Sequence, residues 1–442
     1  MSLLSPLDER YARYTAELTP FFGECALIAE KVKVEKAYFM FLIKPPASAA
    51  LTRWLEEEPD VNRVKEIEST INHDTKAVEV YLQERLEYYG LAQYRQWIHW
   101  GITSQDVISV AYTMLWRRAY HDVIMPEVSR IWRKCDGLAQ EYDKIPLLSR
   151  THGQPATPIT VGHFFQVYAS RIHRQTTALY LAFDELTVKF GGTVGGLHIH
   201  QVFYPEQDWN AKLTEWIQEV FRVRRSQHTT QIDAYDAWIR VFQATELLAG
   251  ILQDLAKNVW QYTSLGVFVQ KQVNAEVGSS VMPHKVNPIH WENAEGNLQL
   301  TQGLLRALSG SLVESRFQRD MHDSTVVRTV GVPLGHLLVA LQMMEEGFHR
   351  FIVNEIHVIN ELENHYEVLT EVIQHILRIY EIDSAYDIIK EHTRGTTMTQ
   401  KEYRHLVSHL EREFPQMNWD IVRDWTPHEY ALGLIQYPHQ ME

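Results

Sequence analysis

The chain has 442 residues, with 42 Lys and Arg against 56 Asp and Glu, for a net charge of −14. That length can bury a large core over two or three domains, and the acidic balance argues against a general nucleic-acid or membrane-surface partner. Residues 1–20 lack an apolar leader and no continuous run of 18 apolar residues follows, so neither a signal peptide nor a transmembrane helix is expected.

In chain order, Ser5 to Tyr11 makes a turn into a helix, with Arg10 as a forked donor. Thr15 to Leu91 has a helical pattern, broken at Lys44-Pro45-Pro46 and Glu58-Pro59-Asp60. The two cysteines, Cys25 and Cys135, stand apart in helical stretches, which predicts no disulfide or metal cluster and a cytoplasmic address. Asn72-His73-Asp74 interrupts an amphipathic stretch; a lone helical histidine is ordinarily structural or solvated. Thr103 and Asp106 have capping-box spacing ahead of Val107, Val110, Ala111, Met114 and Leu115. A hydroxyl-bearing helix N-terminus is also an anion site, and the two roles are compatible.

Ser149 to Pro158 is expected to be a loop between helices, leaving His152 free to meet a ligand. After a helix on Val161 to Phe183 comes Gly191 to Gly196, which lacks a Walker lysine and a βαβ context. It is expected instead to let helices or subunits approach closely. His198 and His200 have no third ligand at suitable spacing. Gln231 precedes a stripe of Val241, Ala244, Leu248, Ile251, Leu255 and Val259, a helix of about 38 Å. Similar stripes recur at 298–312 and from Leu334 to Ile352.

Gly278 to Pro288 is a long loop with hydroxyls at Ser279 and Ser280, a cation at Lys285 and an amide at Asn287, the composition of an anion-binding lid. Arg316 to Arg328 combines guanidinium groups with the hydroxyls of Ser324 and Thr325, which suits phosphate, although a solvated charged face has the same composition. From Glu355 the pattern stays helical. No strand-rich region or repeat stands out.

The loop with Met282-Pro283-His284-Lys285, followed by Glu292 and Asn293, resembles the signature loop of the fumarase/aspartase superfamily in its adenylosuccinate lyase form. Asp8-x-Arg10-Tyr11, Asn72-His73-Asp74, and His99-x-Gly101-x-Thr103-Ser104-x-Asp106 resemble further motifs of that family. So do Thr151-His152-Gly153-Gln154-Pro155-Ala156 and Gln318-Arg319-Asp320 with Asp323-Ser324-Thr325-Val326-x-Arg328. The resemblance extends from Arg10 to Arg394.

It implies an all-α fold of three helical domains, at 1–102, 103–354 and 355–442, with the central long helices of four subunits forming one bundle. Active sites shared between subunits of a homotetramer would follow. The implied activity releases fumarate from adenylosuccinate and from succinyl-aminoimidazole-carboxamide ribonucleotide, without metal or organic cofactor. His152 is the implied general acid; Ser279 is the implied base, with Ser280 as its fallback. Phosphate contacts are implied for Arg10, Tyr11 and the segment Arg319, Ser324, Thr325, Val326, Val327 and Arg328. Further substrate contacts are implied for Asn72, His73, Asp74, His99, Thr103, Ser104, Gln231, Ser280, Lys285, Val286, Asn287, Glu292 and Asn293.

The groups suit the chemistry. Such an elimination needs a base for a weakly acidic C–H, stabilisation of the carboxylate charge that grows, and an acid for the departing nitrogen. Imidazole titrates nearest neutrality and suits the acid. Serine is a poor base unless backbone N–H groups and Lys285 stabilise its alkoxide when the lid closes. Rival readings are another fumarate-releasing lyase of the argininosuccinate lyase type and a non-catalytic crystallin-like relative. A metal hydrolase is a third, but the 22 histidines are scattered rather than spaced as ligands.

Overall fold

The computed structural model describes residues 4–273, 281–282 and 284–438. Within them the body is helical and every sheet has only two strands, as the all-α expectation required. Helix α1 (Glu24–Ile43) ends where Lys44 turns left-handed ahead of Pro45 and Pro46, which cannot extend it. Helix α2 (Val61–Ile71) starts at Asp60, whose carboxylate accepts from Arg63 N, and stops at Asn72. Helix α3 (Asp74–Tyr88) restarts at once. Helix α4 (Ser104–Ala119) begins on the Thr103–Asp106 capping box that the spacing foretold.

Helix α5 (Met125–Glu141) is followed by the longer α6 (Val161–Asp184), α7 (Asp236–Ser264), α8 (Ile289–Leu312) and α9 (Gly331–His349). The 29 residues of α7 span about 43 Å. Helix α9 closes before Ile352, which the sequence assigned to the same stripe.

The expected open loop at 149–158 is a β-hairpin. Strands β1 (Pro146–Thr151) and β2 (Gln154–Thr160) pair antiparallel, Thr151 facing Gln154. His152 and Gly153 fill the two-residue turn at φ 53° and 76°, the left-handed pair such a tight hairpin needs. Pro155 and Pro158 hide the alternation that would have announced strands. Strand β3 (Thr187–Lys189) pairs parallel with β4 (Arg224–Ser226), and β5 (Phe268–Gln270) pairs antiparallel with β6 (Phe351–Val353).

The chain forms two compact units. One comprises Met1–Ser129, His173–Gln253 and Asn293–Met343; the other comprises Arg130–Ile172, Asp254–Glu292 and Met344–Glu442. In the first, Val32, Phe39, Trp54, Val64 and Leu82 share a core in which the Phe39 and Trp54 rings meet edge-on at 5.2 Å. Each such large apolar side chain contributes roughly 1.5–3 kcal/mol by leaving water. In the second, Leu369, Ile373, Leu377, Tyr403 and Trp419 form a C-terminal core.

His322–His349 is long and apolar enough to cross a membrane, with a mean hydropathy of 1.4 over 18 residues. Gly335, His336 and Gln342 interrupt it, which is why no continuous apolar run shows in the sequence. Of its most apolar 18 residues 61% are buried within the protein, and Leu334, Leu337, Leu338 and Leu341 are wholly inside, so it serves as a core segment.

Candidate active site

Helix α1 carries buried polar groups at Lys31, Glu35 and Tyr38, which share one face by their i, i+4, i+7 spacing. Each reaches a different sequence motif. Lys31 Nζ lies 2.7 Å from Asp74 Oδ2, and Arg328 Nη2 reaches the same oxygen at 3.4 Å. Burial alone would raise the Asp74 pKa, but the Lys31 charge and hydrogen bond, the Thr75 N–H and Arg328 hold it well below the carboxylate range.

Asn72 ends α2 at φ 54°, a left-handed turn that asparagine tolerates. His73 then caps α3, its Nδ1 accepting from Lys76 N at 3.0 Å. That bond assigns the proton of the neutral ring to Nε2 on an exposed edge. The Asn-His-Asp motif is thus a helix junction presenting an N–H donor.

Glu35, wholly buried, places Oε1 2.5 Å from His99 Nδ1. Burial lowers the His99 pKa, but the Glu35 charge and hydrogen bond, with Glu79 and Asp106 adding, raise it overall. His99 sits at φ 60°, so the backbone here is held against its preference. Tyr38 Oη lies 3.0 Å from Trp100 O and 2.7 Å from His200 Nε2. The hydroxyl has one proton and a carbonyl only accepts, so Tyr38 donates to Trp100 and accepts from His200 Nε2–H. Burial pushes His200 down to about 4, which keeps it neutral. His200 is therefore a core hydrogen-bonding group. Among the described residues no three His, Cys, Asp or Glu gather as metal ligands.

At the start of α4, Asp106 Oδ2 accepts from Thr103 N at 2.7 Å. Its Oδ1 accepts from Gly191 N at 2.6 Å and lies 2.6 Å from Lys189 Nζ, both side chains being fully buried. Gly192 N adds a contact to Oδ2 at 3.1 Å. The glycine-rich segment therefore aims backbone N–H groups at a carboxylate. A Cβ on Gly195 would lie 2.1 Å from Thr229 O, so the segment closes on a loop of its own chain rather than on a helix. Thr103 and Ser104 are half-buried at this helix N-terminus.

Arg319 is held at both ends of its fork. Nη1 donates to Gln231 Oε1 at 3.1 Å and Nη2 to Ser324 Oγ at 3.3 Å, while its buried Nε has no partner among the described residues. Gln231 is thus an arginine partner ahead of α7. Arg10, Thr325 and Arg328 are exposed, Val326 is half-buried, and Val327 is in the core with only its backbone available. Tyr11 Oη accepts from Asn293 Nδ2 at 3.1 Å. Asn293 Oδ1 accepts in turn from Asn297, whose own Oδ1 meets His336 Nδ1 at 2.8 Å. The first unit thus brings together Asp74 with Arg328, Arg319 with Gln231 and Ser324, and Tyr11 with Asn293.

In the second unit His152 occupies the exposed hairpin tip. Lys285 and Val286 are exposed and Asn287 is half-buried. Glu292 Oε1 accepts from Trp260 Nε1 at 3.0 Å. Ser279 and Ser280 lie outside the described residues.

A family model described as lyase matches residues 32–303, and one described as adenylosuccinate lyase C-terminal matches residues 315–431. The adenylosuccinate lyase of Haemophilus influenzae is 37% identical, with 99% of this chain and 98% of that protein covered. The chain belongs to the adenylosuccinate lyase family. The Escherichia coli K12 member of that family is 36% identical over 97% of this chain and 96% of its own. Among solved structures, a fumarate lyase from Mesorhizobium sp. BNC1 superposes with a TM-score of 0.74 at 17% identity, covering 95% of this chain and 96% of that one. A 3-carboxy-cis,cis-muconate lactonizing enzyme from Pseudomonas putida gives 0.75 at 20% identity, covering 95% of each chain. At such identities these two establish the fold.

Lys31, Glu35, Tyr38 and Lys189 were missed from the sequence of this family member. For the first three a signal existed: polar residues at helical spacing on a face otherwise filled by Ile28, Val32 and Phe39. For Lys189, nothing local distinguishes it from a surface lysine.

Proposed function

We propose that the chain eliminates fumarate from adenylosuccinate, yielding AMP, and from succinyl-aminoimidazole-carboxamide ribonucleotide, as a cytoplasmic homotetramer whose sites are shared between subunits. The observation that carries this reading is Arg319, a fork fixed by Gln231 and Ser324 with its buried Nε still unpartnered among the described residues. A guanidinium so placed suits a phosphate monoester, in a chain whose relatives are named adenylosuccinate lyases over nearly their whole length. Arg10, Tyr11 and Arg328 complete the phosphate contacts in this scheme.

Ser279 takes the proton from the carbon next to the one that bears the departing nitrogen. The C–H electrons form the C=C bond, the C–N bond breaks, and His152 delivers a proton to the departing nitrogen. Lys285, Asn287 and Thr103 stabilise the substrate carboxylate as its charge grows. Asn72, His73, Asp74, His99, Ser104, Gln231, Ser280, Val286, Glu292, Asn293, Ser324, Thr325, Val326 and Val327 shape the remainder of the site. Exposed apolar residues on long helices, among them Leu181, Leu247 and Leu300, support association with further copies.

The test is loss of the ultraviolet absorbance of adenylosuccinate, with argininosuccinate and malate as controls and the solution mass measured alongside. Turnover of adenylosuccinate alone is expected. Turnover of a control alone would refute the phosphate role of Arg319.

A further inference from the structure

A buried carboxylate is costly unless it is paired, and Glu35 is fully buried. Its Oε2 has no partner among the described residues, and its Oε1 is committed to His99 Nδ1 at 2.5 Å. No hydrogen bond from a described residue reaches His99 Nε2. The ring stands four residues before Thr103, at the head of the loop that enters α4. One turn further along α1, Tyr38 fixes the same loop through Trp100 O, with His200 behind it. The loop is therefore secured twice from α1, once at the backbone and once at the imidazole.

We propose that Glu35 is a positioning residue that keeps His99 as an imidazolium, so that its Nε2–H donates a charged hydrogen bond to an anionic oxygen of the substrate. This rests on the substrate class proposed above. The charged groups facing His99 are Glu35 from α1, Glu79 from α3 and Asp106 from α4. Of these, Asp106 is already matched by Lys189 and backbone N–H groups, and Glu79 by Lys76 at 2.7 Å. Among the described residues Glu35 alone has no other cation, so within them its charge is balanced only while His99 is protonated.

The sign follows. A raised pKa means His99 holds its proton to a higher pH than an ordinary imidazole, and binding weakens as pH rises through that value. With Glu35→Gln, the largest influences holding the proton on His99 are gone and it is lost at lower pH than in the wild type. The experiment pairs histidine Cε1–H NMR of the full-length protein, with the His99 peak assigned by its loss in His99→Gln, and pH profiles of kcat/KM for adenylosuccinate. Glu35→Gln is isosteric, and Glu35→Asp keeps the charge.

Glu35→Gln should move the His99 titration and the alkaline limb of kcat/KM to lower pH. Above neutrality it should lower kcat/KM on the order of tenfold, chiefly through KM, as loss of a hydrogen bond to a charged group does. Glu35→Asp should stay nearer the wild type in both readouts. An unmoved His99 titration in Glu35→Gln, or identical limbs for the two variants, overturns the assignment and leaves Glu35 a structural group. The NMR arm needs no turnover, so failure of the proposed substrate would appear separately, as a wild-type chain inactive on adenylosuccinate.

Discussion

Replacing Asp106 with alanine removes the acceptor on which three elements converge. Lys189 would be left fully buried without its counter-charge, its Nζ 2.6 Å from Gly192 O. The N–H groups of Thr103, Gly191 and Gly192 would lose their carboxylate as well. Breaking a buried ion pair from one side costs about 3–5 kcal/mol. Each buried N–H left without an acceptor adds about 1–3 kcal/mol before the backbone relaxes. Relaxation recovers part of this, so a loss of about 5 kcal/mol is expected for Asp106→Ala, a few thousandfold in the folding equilibrium. Lys189→Met leaves the carboxylate satisfied by three backbone donors and should cost only about 2 kcal/mol. The double variant, which strands no charge, should be more stable than the sum of the two predicts. Urea unfolding followed by tryptophan fluorescence, at one fixed protein concentration, measures all four proteins. An Asp106→Ala loss below about 1 kcal/mol, or strict additivity in the cycle, would refute the account.

Arg319→Ala should raise KM for adenylosuccinate by at least about tenfold with a smaller change in kcat, and an unchanged KM in steady-state kinetics would remove Arg319 from the phosphate. His152→Ala and Ser279→Ala should each lower kcat by more than about a hundredfold while substrate still binds, as calorimetry on the inactive protein can check. Substantial turnover in either variant would release that residue from its role. Asp74 contributes stability that is present above the ordinary carboxylate pKa and lost progressively as pH falls below about 4, because Lys31 depresses its folded-state pKa. Asp74→Asn should accordingly be less stable at neutral pH and show a flatter acid limb in unfolding. An acid limb as steep as the wild type's would contradict the Lys31–Asp74 pairing.

Much of this was open to a reader of the sequence because it is local. Helix spacing gave the long stripes of α7, α8 and α9, and Thr103-x-x-Asp106 announced its capping box, since both depend on residues within a turn or two. Motif chemistry gave the family, whose models match residues 32–303 and 315–431. The hairpin at 146–160 was lost because prolines hide a period of two, and a His-Gly pair gives little notice that both residues turn left-handed.

The partnerships that arrange the candidate site belong to tertiary structure. Lys31 meets Asp74 across 43 residues, Glu35 meets His99 across 64, and Gly191 N meets Asp106 across 85. A sequence shows that a charge is present but not that burial has deprived it of water. Only when the chain is packed do these charges lose their solvent and have to find one another. That requirement turns three ordinary polar residues on α1 into supports for Asp74, His99 and the loop that enters α4.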